Sequence, residues 1–401
     1  MSDPTIAGLP APAVATASTG DSTAPRTVSH RPATDTFRVL QVINGEHYSG
    51  AERVQDLLAL ELPQFGCEVG FACLKPDRFP HARQSLSAAL YPTPMRNRFD
   101  LRTVRALVEL IRTHDYRLVH AHTPRSALVG GLAARKAGVP LVYHVHSPTA
   151  RDSTRPIQNF LNAKLERWSL RRAARLITVS ASLQSQMRQQ GFPAPQLSTV
   201  PNGVPPLVGP PRQTPSGNWR LGMTALFRPR KGVEVLLEAL SELRGSGLDV
   251  TLRAIGPFET QQYEAEVKQR TEQLGLSDAV TWTGFAEDIT AELQRIDVLV
   301  LPSLFGEGLP MVVLEAMAGG VPVVASRVEG VPEAIQHREQ GLLVSPGDVD
   351  QLTMAIAELV AGKVDYAELS SNARQRHADC FSARAMAADV ANIYREVLGR
   401  E

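Results

Sequence analysis

The chain has 401 residues, a length typical of two domains that each bury a sizeable apolar core. Its 42 Lys and Arg residues nearly balance 41 Asp and Glu residues, so the formal net charge of +1 gives no overall attraction to nucleic acid. Apolar residues make up 43% of the chain, and no apolar run approaches the roughly 18 residues of a membrane span. We therefore exclude an integral membrane protein and a nucleic-acid partner.

Residues 1–36 are predicted to form a disordered tail, because a segment made mostly of Pro, Ala, Ser and Thr buries too little apolar area to offset the entropy of ordering. From Phe37 onward, short runs rich in Val, Leu and Ile alternate with stretches of helical periodicity. These runs are FRVLQVI, EVGFACL, YRLVHAH, PLVYHVH and RLITVS. The alternation indicates parallel βαβ units, so residues 37–205 are predicted to form a doubly wound, Rossmann-like α/β domain.

Residues 206–218 are crowded with Pro and Gly, lack periodicity and are predicted to be a linker. Six further runs predict a second Rossmann-like α/β domain over residues 219–381: WRLGMTAL, LDVTLRAIG, AVTWTG, IDVLVLPS, VPVVAS and GLLVSP. A final helix is predicted over residues 382–401. Two such halves leave a cleft between them, and sheets of this kind bind ligands beyond the carboxyl ends of their strands.

The segment from Ser303 to Ile335 opens after a predicted buried strand and carries two acidic residues eight positions apart. Glycines in its loop permit close approach of the backbone, and a helix that begins near Pro310 presents unpaired N–H groups to an anion. Glu315 lies within that apolar helix, where an ionised carboxylate is costly unless it is paired or meets a ligand. The alternative is that a core arginine such as Arg327 neutralises Glu315 and that Glu307 is a solvated loop residue.

Other patterns give weaker signals for metal or cofactor chemistry. His120, His122, His144 and His146 lie at two strand ends, but no carboxylate or cysteine spacing supports a metal site there, and each could be a satisfied histidine near the cleft. The D-x-D spacing of residues 348–350 precedes a predicted helix, so helix capping explains it more simply than a divalent ion does. The three cysteines form no C-x-x-C pair and are odd in number, so they indicate neither a zinc site nor a disulfide framework. We predict no metal and no cofactor.

Several motifs, in order, resemble those of the retaining glycosyltransferases of family 4, which adopt the GT-B fold. Glu307 and Glu315 match the family's E-x7-E signature. NGEHYSGAERV resembles its glycine-rich first loop, HAHTPRSALVGGLAARKAGVPLVYHVH its middle section, TVPNGV the end of its first domain, and FRPRKGVEVLLEAL the basic loop of its second. The resemblance extends from Phe37 nearly to the C-terminus. It implies an acceptor-side first domain, a second domain that binds a nucleotide sugar, and a final helix that crosses back to the first.

The resemblance also implies roles for individual residues. Gly50 matches a glycine that packs against the donor diphosphate, and His146 matches a histidine close to the reacting sugar. Lys231 matches the phosphate-binding lysine. The family's arginine five positions earlier is Leu226 here, and we assign the missing charge to Arg228.

The remaining donor contacts are predicted in the E-x7-E segment. Glu307 would accept hydroxyls of the transferred sugar and Glu315 those of the ribose, while the amides of Gly308 and Leu309 face the diphosphate. His146, Lys231 and Glu307 form the predicted catalytic set. For Arg230, a solvated basic turn is the alternative.

The implied activity is transfer of a hexose from a nucleotide-diphosphate sugar to a hydroxyl of a glycan or lipid-linked glycan, with retention and without a metal, in polysaccharide or glycolipid biosynthesis. Departure of the nucleoside diphosphate develops negative charge, which cations and amides stabilise. The departing phosphate takes the acceptor proton, so no catalytic base is assigned. One alternative, a nucleotide-sugar-binding protein without transfer activity, is favoured by Leu226. The other is a nucleotide-sugar epimerase of similar two-domain build.

The stretch 151–175 is rich in Arg and carries apolar and aromatic residues between its charges. Such a helix can lie on an anionic membrane surface, although a solvated helix face over the core is the simpler alternative. The N-terminus lacks the apolar segment of a secretory leader. We therefore predict a cytoplasmic location, at the inner face of the membrane if this stretch binds lipid.

Overall fold

The computed structural model describes residues 36–96, 100–147 and 170–400. The first half builds one parallel sheet, with the strand order β3-β2-β1-β4-β5-β6-β7. Its strands are β1 (Phe37–Ile43), β2 (Cys67–Cys73), β3 (Ala89–Pro92), β4 (Tyr116–Ala121), β5 (Leu141–Val145), β6 (Arg175–Thr178) and β7 (Leu197–Thr199). Five match predicted runs, whereas β3 and β7 were not predicted, because strands of three or four residues at a sheet edge are too short to show periodicity.

The second half builds a parallel sheet with the strand order β10-β9-β8-β11-β12-β13. Its strands are β8 (Trp219–Thr224), β9 (Val250–Ile255), β10 (Val280–Gly284), β11 (Val298–Leu301), β12 (Val323–Ser326) and β13 (Gly341–Val344). All six correspond to predicted runs. In both sheets the strand order reverses beside the first strand, which places the ligand cleft next to β1 and β4 and next to β8 and β11.

Helices connect the strands in both halves. In the first they are α1 (Gly50–Glu61), α2 (Phe79–Ala82), α3 (Leu101–Thr113), α4 (Pro124–Ala137) and α5 (Ala181–Gln189). In the second they are α6 (Val233–Gly245), α7 (Gln261–Gln273), α8 (Ile289–Gln294), α9 (Met311–Ala318), α10 (Val331–Ala334), α11 (Val349–Val360) and α12 (Tyr366–Cys380), followed by α13 (Ala383–Leu398). Short 3-10 turns lie at Leu62–Phe65, Ala194–Gln196 and Pro229–Lys231. The two sheets with their helices give the predicted GT-B architecture.

The last helix, α13, packs against the first domain although it follows the second in the chain. The backbones meet where Val204 donates to Phe381 at 2.9 Å and accepts from Ala383 at 3.1 Å. Further along, the Tyr394 hydroxyl lies 2.6 Å from Nδ1 of His120, which is on β4. The C-terminal segment thus completes the packing of the first sheet.

Two predicted segments fall largely outside the described residues. The tail is described only at residue 36, and of the basic stretch 151–175 only residues 170–175 are described. There, Arg171 and Arg172 are exposed and Arg175 pairs with Glu396 at 2.9 Å. Within the described ranges, none of the helices combines the length and apolar character needed to cross a bilayer.

Candidate active site

The loop between β11 and α9 runs through the cleft and depends on two glycines. Gly306 has a φ of +84°, and a Cβ added there would lie 2.8 Å from the guanidinium of Arg230. A Cβ added to Gly308 would collide with the backbone carbonyl oxygen of His146, which follows β5 in the first domain. Because only glycine fits at these points, the loop passes between a cation of its own domain and the backbone of the other domain.

Lys231, from the turn that precedes α6, and Glu307, between the two loop glycines, form a buried ion pair. The Nζ of Lys231 lies 2.5 Å from Oε1 of Glu307, and the Ser303 hydroxyl donates to the same oxygen at 2.6 Å. Burial lowers the pKa of Lys231, although the carboxylate opposes this effect. For Glu307, burial favours a raised pKa, but the charges of Lys231 and Arg230 hold the pKa below its ordinary value. Glu307 is therefore ionised at neutral pH.

Arg230 is the arginine that contacts the glycine loop. Only 8% of the residue is exposed, and its guanidinium donates to the carbonyl oxygens of Phe305 and Gly306. The alternative of a solvated turn at Arg230 is therefore wrong. The side chain of Arg228 does not contact this loop in the structure but pairs with Glu259, with Nη1 3.4 Å from the carboxylate. Its predicted phosphate contact stays a prediction.

Glu329 holds the same loop from the other side. Its carboxylate accepts hydrogen bonds from the amides of Gly306 at 2.9 Å and Glu307 at 3.1 Å. Its φ of +30° is unusual for a residue with a side chain and marks local backbone strain. Glu329 therefore holds two of the amides of this loop, and the predicted anion contacts of Gly308 and Leu309 stay predictions.

Glu315 pairs with an arginine of the other domain. It lies on α9 with its side chain 4% exposed, and its carboxylate is in close contact with the guanidinium of Arg53, on α1. The alternative that an arginine neutralises Glu315 is thus right in kind, but the residue is Arg53 and not Arg327, which is exposed. The alternative of a solvated Glu307 is wrong, because that residue is buried. Gly50 begins α1, and a Cβ added to it would touch Met311 at the start of α9, so the N-termini of the two helices face each other.

Two further contacts join the domains around the site. The side-chain amide nitrogen Nδ2 of Asn202 donates to the backbone carbonyl oxygen of Leu309 at 2.8 Å. The carboxylate of Glu333 accepts from the amides of Ala181 and Ser182, at 2.7 and 2.8 Å, at the N-terminus of α5. A carboxylate in that position is stabilised by the helix dipole.

The first-domain wall of the cleft carries the four histidines. His120, His122 and His144 are buried, while His146 is partly exposed. Nε2 of His146 lies 2.8 Å from Nδ1 of His122. Burial lowers the pKa of His120 to about 3 and the pKa values of His122 and His144 well below their ordinary range, so these rings are neutral at pH 7.

The capping interpretation of the D-x-D spacing is confirmed. Asp348 is the N-cap of α11, and its carboxylate accepts from the amide of Gln351 at 2.9 Å. This contact explains the acidic residue at position 348 without a divalent ion.

The structure brings most of the predicted site residues to the cleft: Gly50, His146, Lys231, Glu307, Gly308, Leu309 and Glu315. Sequence reasoning missed three charged residues that hold them there. Arg53 lies within the recognised glycine-rich motif and Arg230 beside Lys231, so their proximity to the motifs was a usable signal. No sequence signal pointed to Glu329, because its role depends on a local backbone turn.

Comparison with known proteins identifies the family. A family model described as "Glycosyltransferase Family 4" matches residues 48–206, and one described as "Glycosyl transferases group 1" matches residues 211–376. An MMP alpha-(1->4)-mannosyltransferase of Mycolicibacterium hassiacum is 32% identical over 326 residues, which is 77% of each chain. A UDP-Gal:alpha-D-GlcNAc-diphosphoundecaprenol alpha-1,3-galactosyltransferase of Escherichia coli is 26% identical over 79% of this chain and 86% of its own.

Solved structures agree on the fold. The crystal structure of Anabaena Alr3699/HepE in complex with UDP-glucose superposes with a TM-score of 0.79 at 23% identity, covering 90% of this chain and 99% of the other. Together with the two matched family models and the similar mannosyltransferase, these findings establish that the chain belongs to the family 4 glycosyltransferases of GT-B fold.

Proposed function

We propose that this glycosyltransferase moves a hexose from a nucleotide-diphosphate sugar to a hydroxyl of a glycan or lipid-linked glycan, with retention at the anomeric carbon. The observation that carries the proposal is the buried Lys231–Glu307 pair, whose carboxylate belongs to the glycine loop that contacts the backbone of His146 through Gly308. The names of the relatives support it, since they specify a mannosyl and a galactosyl transfer, the latter involving a diphosphoundecaprenol-linked sugar. The UDP-glucose bound in the Anabaena protein supports the donor class.

The pair is suited to a leaving group that gains charge. As the bond between the anomeric carbon and the phosphate oxygen breaks, the nucleoside diphosphate takes the electron pair. Lys231 and the N–H groups of Gly308 and Leu309 would lie around that charge and stabilise the transition state more than the bound donor. Arg228, which faces Glu259 in the structure, would have to leave that carboxylate to complete the predicted phosphate contacts. Glu307 fixes the ammonium of Lys231 and would accept a hydroxyl of the transferred sugar.

Retention follows if the acceptor hydroxyl attacks from the side of the departing phosphate. The new bond joins the acceptor oxygen to the anomeric carbon, and the proton of that hydroxyl passes to the phosphate oxygen that leaves. No side chain has to act as nucleophile or base. His146 would then contact the sugar as a neutral hydrogen-bonding group at the end of β5.

Glu315 has to gain partners when donor binds. In the structure its carboxylate faces Arg53, and the proposal requires it to accept the ribose hydroxyls as well. A carboxylate has about four lone-pair sites, so one Arg contact leaves room for a diol. Gly50, at the start of α1 beside Arg53, would let the diphosphate approach the backbone of the first domain.

The reaction as proposed needs no metal at the diphosphate, because Lys231 and the loop amides supply the positive potential there. We further propose that the protein works in the cytoplasm at the inner face of the membrane, where lipid-linked glycans would be available. The basic stretch 151–175 would provide the contact with anionic lipid.

A donor screen followed by product analysis tests the function. The melting temperature is measured with UDP, GDP and ADP sugars, and a cleft ligand raises it by mass action. The stabilising donor is then incubated with glycan and polyprenyl-diphosphate glycan acceptors, and NMR determines the anomer formed. We expect one base to stabilise the protein and the product to keep the donor's anomeric configuration. An inverted product contradicts retention, and transfer that requires added Mg²⁺ contradicts metal independence.

The same experiment separates the two alternatives. An epimerase would convert the donor sugar without any acceptor, and a binding protein would be stabilised by a donor that is neither transferred nor hydrolysed. Either result contradicts the proposed transfer.

A further inference from the structure

Three buried histidines, His120, His122 and His144, form a compact group on one face of the first sheet; we call them the histidine cluster. In chain order they lie on β4, just after β4 and on β5, and β4 and β5 are paired in parallel. One ring nitrogen from each can be chosen so that all three atoms lie within 4.8 Å of one another. Tetrahedral Zn²⁺, with bonds of about 2.0–2.1 Å, needs ligand nitrogens about 3.3 Å apart, so a bound ion would draw the three rings closer together.

Several ring nitrogens of the histidine cluster have no hydrogen-bond partner. Nδ1 of His120 contacts the Tyr394 hydroxyl at 2.6 Å, and Nδ1 of His122 contacts Nε2 of His146 at 2.8 Å. Among the described residues, Nε2 of His120, Nε2 of His122 and both nitrogens of His144 have no hydrogen-bond partner. Burying such atoms unpaired costs free energy, so each calls for an explanation.

The amide of Gln41 enlarges this unpartnered polar region. Gln41 on β1 pairs in register with His120 on β4, so both side chains project from the same face of the sheet. The residue is fully buried, and neither its amide oxygen nor its amide nitrogen has a partner within the described ranges. Six unpartnered polar atoms thus share one buried region of the first domain.

We propose that the histidine cluster is a binding site for a divalent transition-metal ion, with Zn²⁺ as the best fit, held by Nε2 of His120, Nε2 of His122 and one nitrogen of His144. Three neutral imidazoles that leave a fourth position for water are a ligand set that Zn²⁺ accepts. The partnered nitrogens fit as well, because a metal-bound histidine usually directs its other ring nitrogen to a second group. Tyr394 and His146 provide those groups.

Metal binding would also fix the protonation of His146. With Nε2 of His122 on the ion, the proton of that ring is on Nδ1 and is donated to Nε2 of His146. The proton of a neutral His146 is then on its Nδ1. The site therefore lies behind the cleft wall as a positioning element, separate from the diphosphate contacts of the second domain.

The test measures metal binding by the full chain. Protein dialysed against a chelator is titrated with Zn²⁺ by calorimetry and with Co²⁺ by visible absorption, which reports tetrahedral coordination. We expect one ion per chain and an affinity at least 100-fold weaker in His144→Leu. The exposed His81 provides the control His81→Gln, which should bind as the wild type does. Wild-type protein that binds neither ion at a stoichiometry of one overturns the proposal.

A second variant covers the case in which His144→Leu does not fold. Tyr394→Phe keeps every ligand but removes the hydroxyl next to His120, and should weaken Zn²⁺ binding by about 10- to 100-fold. NMR of ¹⁵N-labelled histidine should place the proton of His146 on Nδ1 when Zn²⁺ is added to the wild type. If Zn²⁺ affinity is unchanged in the folded variants, the ion binds elsewhere and the proposal is wrong.

Discussion

The two walls of the cleft differ in the charge state of their buried polar groups. On the second-domain wall, Lys231 and Glu307 stay ionised because each meets the other at 2.5 Å, and Arg230 is held by loop carbonyl oxygens. On the first-domain wall, the histidine cluster has no carboxylate partner among the described residues, and burial keeps it neutral. Charge is thus concentrated on the second-domain wall, whereas the histidine cluster of the first-domain wall is uncharged and Arg53 is the cation that the first domain contributes, to Glu315.

The strongest test of this contrast changes the charged wall. In Glu307→Gln or Lys231→Met we expect the rate of transfer to fall by about 100- to 1000-fold, the loss typical of removing one group that stabilises developing charge. Transfer is measured with the donor that the thermal screen selects. Glu272→Gln and Lys363→Met alter exposed residues of the same domain and should keep the wild-type rate. Wild-type rates in the site variants would show that the charges are not used.

The ion pair between Arg53 and Glu315, which joins the two domains, should contribute to stability. Arg53→Met leaves the buried carboxylate of Glu315 without its partner, and we expect the free energy of unfolding to fall by about 3 kcal/mol in a urea titration. The double variant Arg53→Met/Glu315→Met should regain most of that loss. The exposed pair Arg117–Asp115 provides the control, because Arg117→Met should cost less than about 1 kcal/mol. Equal losses in the two single variants would remove the distinction between buried and surface pairs.

The neutral wall should respond to acid. Folding keeps the histidine cluster unprotonated, whereas the unfolded chain binds protons below a pKa of about 6.5. The neutral histidines therefore make their full contribution to the free energy of unfolding above pH 6.5. This contribution is lost as the pH falls toward the pKa in the folded state, which is about 3 for His120. In metal-free protein, His144→Leu should make this loss shallower by up to about 1.4 kcal/mol per pH unit. Urea titrations at several pH values measure it, and an unchanged slope would contradict a neutral His144.

A carboxylate outside the cleft should have the smallest effect. Asp348→Ala removes the N-cap of α11 and should lower the free energy of unfolding by about 1 kcal/mol while transfer stays at the wild-type rate. Asp350→Ala, in the exposed first turn of the same helix, should cost less. If Asp348→Ala instead abolishes transfer, the residue has a role at the active site that its capping contact does not explain.

The sequence was informative where a local pattern determines local structure. Runs of Val, Leu and Ile marked eleven of the thirteen described strands, and the spacing of Glu307 and Glu315 marked the loop and helix that carry them. Contacts between distant segments could not be predicted in this way. His120 and Tyr394 are 274 residues apart, and Arg53 and Glu315 belong to different domains, so no periodicity connects them. A solvated turn was the alternative for Arg230 because a charged residue in a basic turn is more often solvated than buried, and the structure shows that this alternative is wrong.

The path of helix α13 has a consequence for how the protein is made. The first sheet receives Tyr394 only after the whole of the second domain has been synthesised, because that residue lies near the end of the chain. A nascent first half that has left the ribosome therefore still lacks the helix that covers one of its faces. Expression of that half alone should give a polypeptide that exposes this apolar face and aggregates, and supplying the C-terminal helix in trans should restore its solubility.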